Sequence, residues 1–408
     1  MDNPDQAYTG RRRTRRSNRR ADGRADGRAG SRNGWQPDWQ DIQTNLPPLT
    51  PLSADQLVAI HQASLQLLED YGIEVMSAEA RARFRAAGAD ADEASMIVRA
   101  DRGLILAAIA RGISLDDMAD DPSTITNINI NSPRKLDVEM AAAAIAMAEM
   151  GQAVVVTPFT LMGAMTPVTL AAALTQQNAE ALFGIALTQL VRPGAPVVYG
   201  GFTSNVDMKT GAPAFGTPEN SRANMAGGQL ARFYNLPYRT SACSASNAAD
   251  AQAVWETQMA LWGAVTGHGN LVYHAAGWGE GGLVADFEKL VIDCEMLQAM
   301  AEMLRPVSFD AADFGFAAHD EVAPGGHFFG TGHTMERYQD AFYAPFLSDW
   351  SNHENWCDAG SKTATTRAMA VWPQILNAYT PPPMDVGRIE EMQAYIARRK
   401  EQIGSDAP

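Results

Sequence analysis

Residues 151–204 read "GQAVVVTPFTLMGAMTPVTLAAALTQQNAEALFGIALTQLVRPGAPVVYGGFTS". Within them "QAVVVTPFT" (152–160) is a short apolar strand. "LAAALTQQNAEALFGIALTQLVRPG" (170–194) is a long helix that ends on Pro and Gly. "APVVYGGFTS" (195–204) is a second strand. Strand, helix and strand in that order make a βαβ unit, and such units build parallel sheets.

The alternation continues on both sides. Downstream come a helix in "SRANMAGGQLARFYN" (221–235), a strand in "LPYRTSACSAS" (236–246) and a helix in "AADAQAVWETQMALWGAVTGHG" (248–269). A strand in "NLVYHAAGW" (270–278), a helix in "VADFEKLVIDCEMLQAMAEMLR" (284–305) and a strand in "PVSFD" (306–310) follow. Upstream lie a helix in "EMAAAAIAMAEMG" (139–151) and a weaker strand in "STITNINI" (123–130). Two α/β architectures compete for this pattern. A doubly wound sheet calls for a Gly-rich phosphate turn after an early strand, and no GxGxxG stands there. A (β/α)8 barrel places Gly and polar residues after each strand, at its C-terminal face. The chain does this at Thr157–Thr160, Gly200–Asp207, Cys243–Asn247 and His274–Glu280. The expectation is a TIM-type (β/α)8 barrel over 113–400, short of its first strands, since five firm strands and one weak one fall below eight.

Three helices precede the barrel and predict a helical N-terminal subdomain over 35–112. They lie in "SADQLVAIHQASLQLLEDYG" (53–72), "SAEARARFRAAG" (77–88) and "RADRGLILAAIARG" (99–112), the first two with a Ser at the start and a Gly at the stop. His61, inside the first, reads as an ordinary helix residue. The opening segment 1–34 is different material. Residues 1–32 hold ten Arg and four Asp, a local charge of +6, which leaves the remaining chain at −21 against −15 for the whole. Its repeated "RADGRADGRAG" reads as a disordered, solubilising arm. No apolar segment follows the arginines, which argues against a secretory or twin-arginine signal. An acidic body excludes nucleic acid as the main ligand. No apolar run reaches the roughly 18 residues of a membrane span. Three separated cysteines, Cys243, Cys294 and Cys357, form neither a disulfide framework nor a zinc motif, and a reducing cytoplasm fits them.

The loops narrow the chemistry. HExxH is absent, and His327 and His333 in "GGHFFGTGH" have no standard metal spacing. They read instead as a cap over the barrel mouth or as donors to an anionic group. Ser241, Ser244 and Ser246 lack a GxSxG elbow, and Cys243 reads as a buried structural thiol before a nucleophile. Aromatic residues cluster in the loops: Phe159, Phe202, Tyr273, Trp278, Phe328 and Phe329. Ring faces beside a carboxylate such as Glu280 or Asp207 hold a quaternary ammonium ion. Glu280 and His274 are the candidate catalytic residues. Phe159, Phe202, Asp207, Trp278, His327 and His333 are the candidate substrate-binding residues, and no metal is expected.

Three stretches resemble the trimethylamine methyltransferase (MttB-type) family. They are "TPFTLMGAMTPVTLAAALTQQNAEALFGIALTQLVRPGAPVVYGGFTSNVDMKTGAPAFGTPE" (157–219), "GWGEGGLVADFEKLVIDCEML" (277–297) and "APGGHFFGTGHT" (323–334). The likeness runs over 113–400 and more weakly over 50–112. It implies a TIM barrel that passes a methyl group from a methylated amine to the Co(I) corrinoid (cobalamin) of a separate corrinoid protein. It implies no tightly bound cofactor of its own. No nucleic-acid or membrane partner is expected on the charge and hydropathy above, and a homo-oligomer is expected. Founding members carry pyrrolysine; this chain has only standard residues and resembles the other branch, with members acting on glycine betaine. The corresponding region is "SACSASNAADAQ" (241–252). A quaternary amine expels a neutral amine and needs positioning more than acid catalysis. A betaine's carboxylate would need a donor, for which His274, His327 and His333 are the candidates. The alternative is a catalytically inactive relative that binds a small quaternary-ammonium ligand. Family members are longer before "ISLDDMADDPSTITNINI" (113–130), where the first barrel strands would lie.

Overall fold

The computed structural model describes residues 46–109, 124–381 and 383–404. The expected Arg-rich arm, and the start of the expected barrel domain at 113–123, lie outside them. Residues 42–377 form one compact unit, and the chain after them contributes to a second, which carries the exposed helix Val386–Gly404.

The first unit is organised by one parallel sheet. Its strands are β1 (Ile125–Ile128), β2 (Ala153–Val156), β4 (Val197–Gly200), β7 (Tyr238–Ser241) and β8 (Leu271–Tyr273). They lie side by side in chain order, every pair parallel. Between them run α1 (Val138–Glu149), α2 (Leu170–Val191), α3 (Pro218–Phe233) and α4 (Ala251–Thr266), and α5 (Phe287–Met303) follows. Each of the five starts at a capping side chain: Asp137, Thr169, Thr217, Asp250 and Asp286 accept bonds from first-turn N–H groups. Right-handed crossovers between strands in unbroken order put all the helices on one face. Consecutive helices do pack on one another from α1 to α5. No reversal of strand order creates a doubly wound crevice. The result is a run of successive βα units; a complete barrel is not present among the described residues.

The sheet's two faces differ. Val154, Val156, Val197, Tyr199 and Tyr238 point into the apolar core under the helices. Successive side chains alternate, so Val155, Val198 and Arg239 project from the opposite, inner face. The core's centre is α2, buried on nearly all sides from Ala173 to Gln189. Its buried polar groups are satisfied: Gln177 Nε2 donates to the Gly200 carbonyl, and Asn178 Nδ2 to Ser64 Oγ and Tyr234 Oη. β2 and β4 approach closely at Gly200, where a Cβ would stand 2.6 Å from the Val156 carbonyl oxygen.

Two chain segments run past the sheet. β3 (Phe159–Met162) continues β2, and β5 (Phe202–Val206) continues β4. They pair in parallel, and β6 (Pro213–Ala214) adds an antiparallel edge to β5.

The N-terminal reading holds for its helices, Ala54–Asp70, Ala78–Ala86 and Arg102–Ile109, the first with the Ser53–Gln56 capping box. It misses a small sheet among them. Ile73–Val75 pairs with Ile97–Arg99, which pairs with Asp90–Ala91, and also with Lys135–Leu136. The segment is mixed rather than helical. "PVSFD" is a second correction. It forms no strand, and Val307 and Phe309 stay about three-quarters exposed, because no neighbouring strand takes up its backbone bonds. The weak strand in "STITNINI" is β1. No helix among the described residues is long and apolar enough to cross a membrane.

Candidate active site

The C-terminal ends of β2, β4 and β8 carry a cluster of rings on the inner side. β3 and β5 pair so that Phe159 sits opposite Phe202, ring centroids 4.9 Å apart. The fully buried Phe215, after β6, lies 5.1 Å from Phe202 and 6.3 Å from Phe159. Thr160 Oγ1 and Thr203 Oγ1 share a 2.6 Å hydrogen bond that locks the two extensions.

His274 follows β8 directly, at a φ of +60°. A non-glycine residue held left-handed is uncommon and stores backbone strain. The turn aims its ring between Trp278, 3.9 Å away, and Phe202, 5.2 Å away. Burial first, and then the charge of Arg239, push the imidazole pKa down to about 4, so the ring is neutral at pH 7. Its Nδ1 is buried without a hydrogen-bond partner.

Trp278 is held by the loop's own architecture. β9 (Trp278–Gly279) pairs antiparallel with β10 (Val284–Ala285). The Gly277 N–H donates to Asp293 Oδ2 at 2.9 Å, and Asp293 also pairs with Lys289 inside α5. Lys289 Nζ donates in addition to Thr257 Oγ1 at 2.7 Å, while Asp293 Oδ1 is buried without a hydrogen-bond partner. On the other side the Glu280 and Gly281 N–H groups donate to the carbonyls of Ser246 and Ser244. Ser244, Ala245 and Ser246 are in turn fixed by Glu256 Oε2, which accepts bonds of 2.8, 2.9 and 3.0 Å from them. The serines are therefore occupied in holding the loop. Cys243 is 1% exposed, and burial pushes its thiol up to about 12, which leaves it inert.

Arg239 was not among the residues singled out from the sequence. It projects from the inner face of β7 and is 2% exposed. Its guanidinium lies 4.5 Å from the Tyr273 ring centroid and 5.3 Å from that of Phe202. Nε and Nη1 have no hydrogen-bond partner, and no carboxylate among the described residues pairs with it. Stacking on rings returns about 2 kcal/mol, less than the several kcal/mol that burial of a lone ion costs. The available signal was one Arg inside the strand "LPYRTSACS".

Of the expected residues, Phe159, Phe202, His274 and Trp278 come together through ring contacts. Glu280 shares the loop, but its side chain is exposed. It lines a cavity of about 300 Å3 with Ser246, Asn247, Asp286 and Lys289, and none of the four rings lines that cavity. Asp207 is exposed and closes its own turn, accepting from Thr210 Oγ1 at 2.7 Å and the Lys209 N–H at 3.2 Å. Those bonds hold its carboxyl below the usual range. His327 is exposed, its ring 5.6 Å from Phe329. His333 is half-buried near Gly315, with Nε2 unpartnered. Neither shares a ring contact with the cluster. Among the described residues no three His, Cys, Asp or Glu groups gather closely enough to hold a metal ion.

Comparison with known proteins gives one consistent result. A family profile described as "Trimethylamine methyltransferase (MTTB)" matches residues 12–114 and 105–404. A glycine betaine methyltransferase of Desulfitobacterium hafniense is 36% identical over 309 residues, 76% of this chain and 64% of that relative. A trimethylamine methyltransferase MttB of the same species is 30% identical over 299 residues, 73% of this chain and 60% of the relative. A trimethylamine methyltransferase MttB of Methanosarcina barkeri is 32% identical over 267 residues, 65% of this chain and 53% of the relative. The matched part of the chain spans between about half and two thirds of these relatives' length.

Proposed function

The chain belongs to the trimethylamine methyltransferase family, and on that premise we propose that it removes a methyl group from a small methylated amine, quaternary rather than tertiary, and passes it to the Co(I) corrinoid of a separate protein. The frame we propose is a (β/α)8-type barrel, of which the five parallel strands are one arc. The observation that carries the reading is the ring cluster of Phe159, Phe202, His274 and Trp278 at the C-terminal ends of those strands. Active sites of such folds sit at that end, and aromatic faces attract a desolvated ammonium ion.

The residues divide the work by their chemistry. The ring faces hold the trimethylammonium head and exclude water from it. His274 stays neutral at pH 7, so it adds no positive charge beside a cation. The carbon–nitrogen electron pair remains with nitrogen as the methyl carbon is transferred, and the amine departs neutral. That step needs alignment and no proton. Glu280, on the exposed loop, is proposed to compensate the substrate's charge as it enters.

Calorimetric titration with glycine betaine, carnitine, proline betaine and trimethylamine tests the reading. It is followed by incubation with a reduced corrinoid protein and measurement of demethylated amine. Saturable binding of a quaternary amine and its demethylation are expected. Binding without demethylation would favour the alternative of a catalytically inactive binding relative. No binding in a folded sample would overturn both.

A further inference from the structure

The inner face of the sheet carries a charge that the protein leaves unanswered. Arg239 is almost fully buried, and no carboxylate among the described residues pairs with it. The buried charge of Lys289 nearby is matched by Asp293, and the half-buried Glu256 by the Ser244–Ser246 turn. Nε and Nη1 of Arg239 have no acceptor. Ser241 Oγ, two residues on and so on the same face, and His274 Nδ1 are also buried without a partner. These polar groups adjoin the rings of Phe202 and Tyr273, and through Phe202 they reach His274 and Trp278. A lone buried cation beside an aromatic cluster calls for a ligand with an anionic end and an apolar or cationic end.

We propose that Arg239 anchors the carboxylate of a zwitterionic quaternary amine, so that the site selects betaines over trimethylamine and over uncharged or alcohol-bearing analogues. This rests on the methylated-amine reading and narrows it to one substrate class. The dimensions agree. In a glycine betaine-type molecule two bonds of about 1.5 Å each separate the carboxylate carbon from the quaternary nitrogen. Both ends must therefore be met within a few ångströms. Ring centroids 4.5 and 5.3 Å from the guanidinium carbon satisfy that spacing. The charges agree as well: the carboxylate neutralises Arg239 and stands between it and the ammonium head. Trimethylamine would leave Arg239 unpaired and repelled. The role foreseen for histidine as carboxylate donor passes to Arg239, with His274 beside it.

The test is calorimetric titration of the full chain with three probes. They are glycine betaine, choline (the same head with an alcohol) and 3,3-dimethylbutyrate, the isostere with carbon in place of nitrogen, whose head is neutral and which keeps the carboxylate. Wild type should bind glycine betaine about tenfold to a hundredfold more tightly than choline, the range for a hydrogen bond to a charged group. Arg239→Met should bring betaine down to the level of choline and leave choline within about threefold, while its melting temperature holds or rises, because functional buried charges oppose stability. Arg239→Lys keeps the charge, loses the planar fork and should give an intermediate loss. Should the Met variant fail to fold, the Lys variant carries the test, and unaltered betaine preference in it overturns the anchor. Equal betaine affinity in Arg239→Met and wild type, or choline bound as tightly as betaine by wild type, also overturns it and leaves the methylated-amine reading standing. Arg239-dependent binding of dimethylbutyrate, with neither amine bound, keeps the anchor and overturns the methylated-amine reading. Binding of no probe by folded wild type overturns both.

Discussion

Replacing Glu180 by Gln should flatten the pH dependence of this protein's stability between pH 4.5 and 7. Glu180 lies in the middle of α2, fully buried, and ties the helix to the turn after β1. Ser132 Oγ donates to it at 2.6 Å, the Arg134 N–H at 2.8 Å and Gln176 Nε2 at 2.9 Å. Those donors favour the carboxylate, yet burial outweighs them and raises the pKa to about 7 from 4.5. An acid whose folded pKa is raised holds its proton more tightly folded than unfolded. Its neutral form is stabilising below pH 4.5, and stability falls as pH rises to about 7. The rise from 4.5 to about 7, at about 1.36 kcal/mol per pH unit, gives a loss of ~3 kcal/mol across that window. Gln keeps an acceptor for Arg134 and can donate to Ser132, and it does not ionise. Urea midpoints of wild type and Glu180→Gln, measured from pH 4.5 to 8, should start near one another and diverge in favour of the variant. A variant destabilised by the same amount at pH 5 and pH 8 would refute the reasoning, since it would mean that the carboxylate is bound charged throughout.

Three further outcomes follow from the site. Trp278→Ala should weaken binding of a quaternary amine by about 1–2 kcal/mol with the fold intact; unchanged affinity in calorimetry would remove the ring cluster as the binding surface. His274, lowered to about 4 by burial and Arg239, should show no NMR titration between pH 6 and 8. Because its folded pKa lies below the usual 6.5, its contribution to stability is lost as pH falls from 6.5 through 4; a titration near pH 6.5 would show that the ring is solvated. Asp293→Ala strands the buried Lys289 ammonium and frees Gly277, and should cost about 3–5 kcal/mol. Protease cleavage in 277–286 should rise with it, and a fully stable, uncleaved variant would contradict the role given to this pair.

The firm strands were legible because parallel strands are apolar on both faces, as in "AVVV" and "PVVYG". β1 was weaker because "ITNI" puts Asn127 on the inner face and Thr126 beside Ile128 on the core face, so neither face is wholly apolar. The small N-terminal sheet was invisible: its strands are two or three residues long, too short for alternation to register. "PVSFD" has strand composition, but pairing depends on neighbours that composition does not reveal. In the site, aromatic residues next to glycines pointed to Phe202, His274 and Trp278. Asp207 and His327 were chosen for their chemistry, and their exposure is a matter of tertiary placement. Arg239 stayed hidden because an Arg in a strand can point to solvent; only the absence of an acid around a buried one makes it conspicuous.

The unbroken strand order also bears on how the chain is made. Paired positions in the sheet lie 28 to 43 residues apart, Ile125 from Ala153 at one extreme and Val154 from Val197 at the other. Every strand therefore meets its partner soon after synthesis, on the edge left by the strand before it. Folding can proceed by accretion as the chain leaves the ribosome, without waiting for a distant C-terminal segment. Each step closes one edge and exposes the next. A pause in translation inside α2, α3 or α4 would hold open an apolar parallel edge, the kind of surface that recruits a second nascent chain.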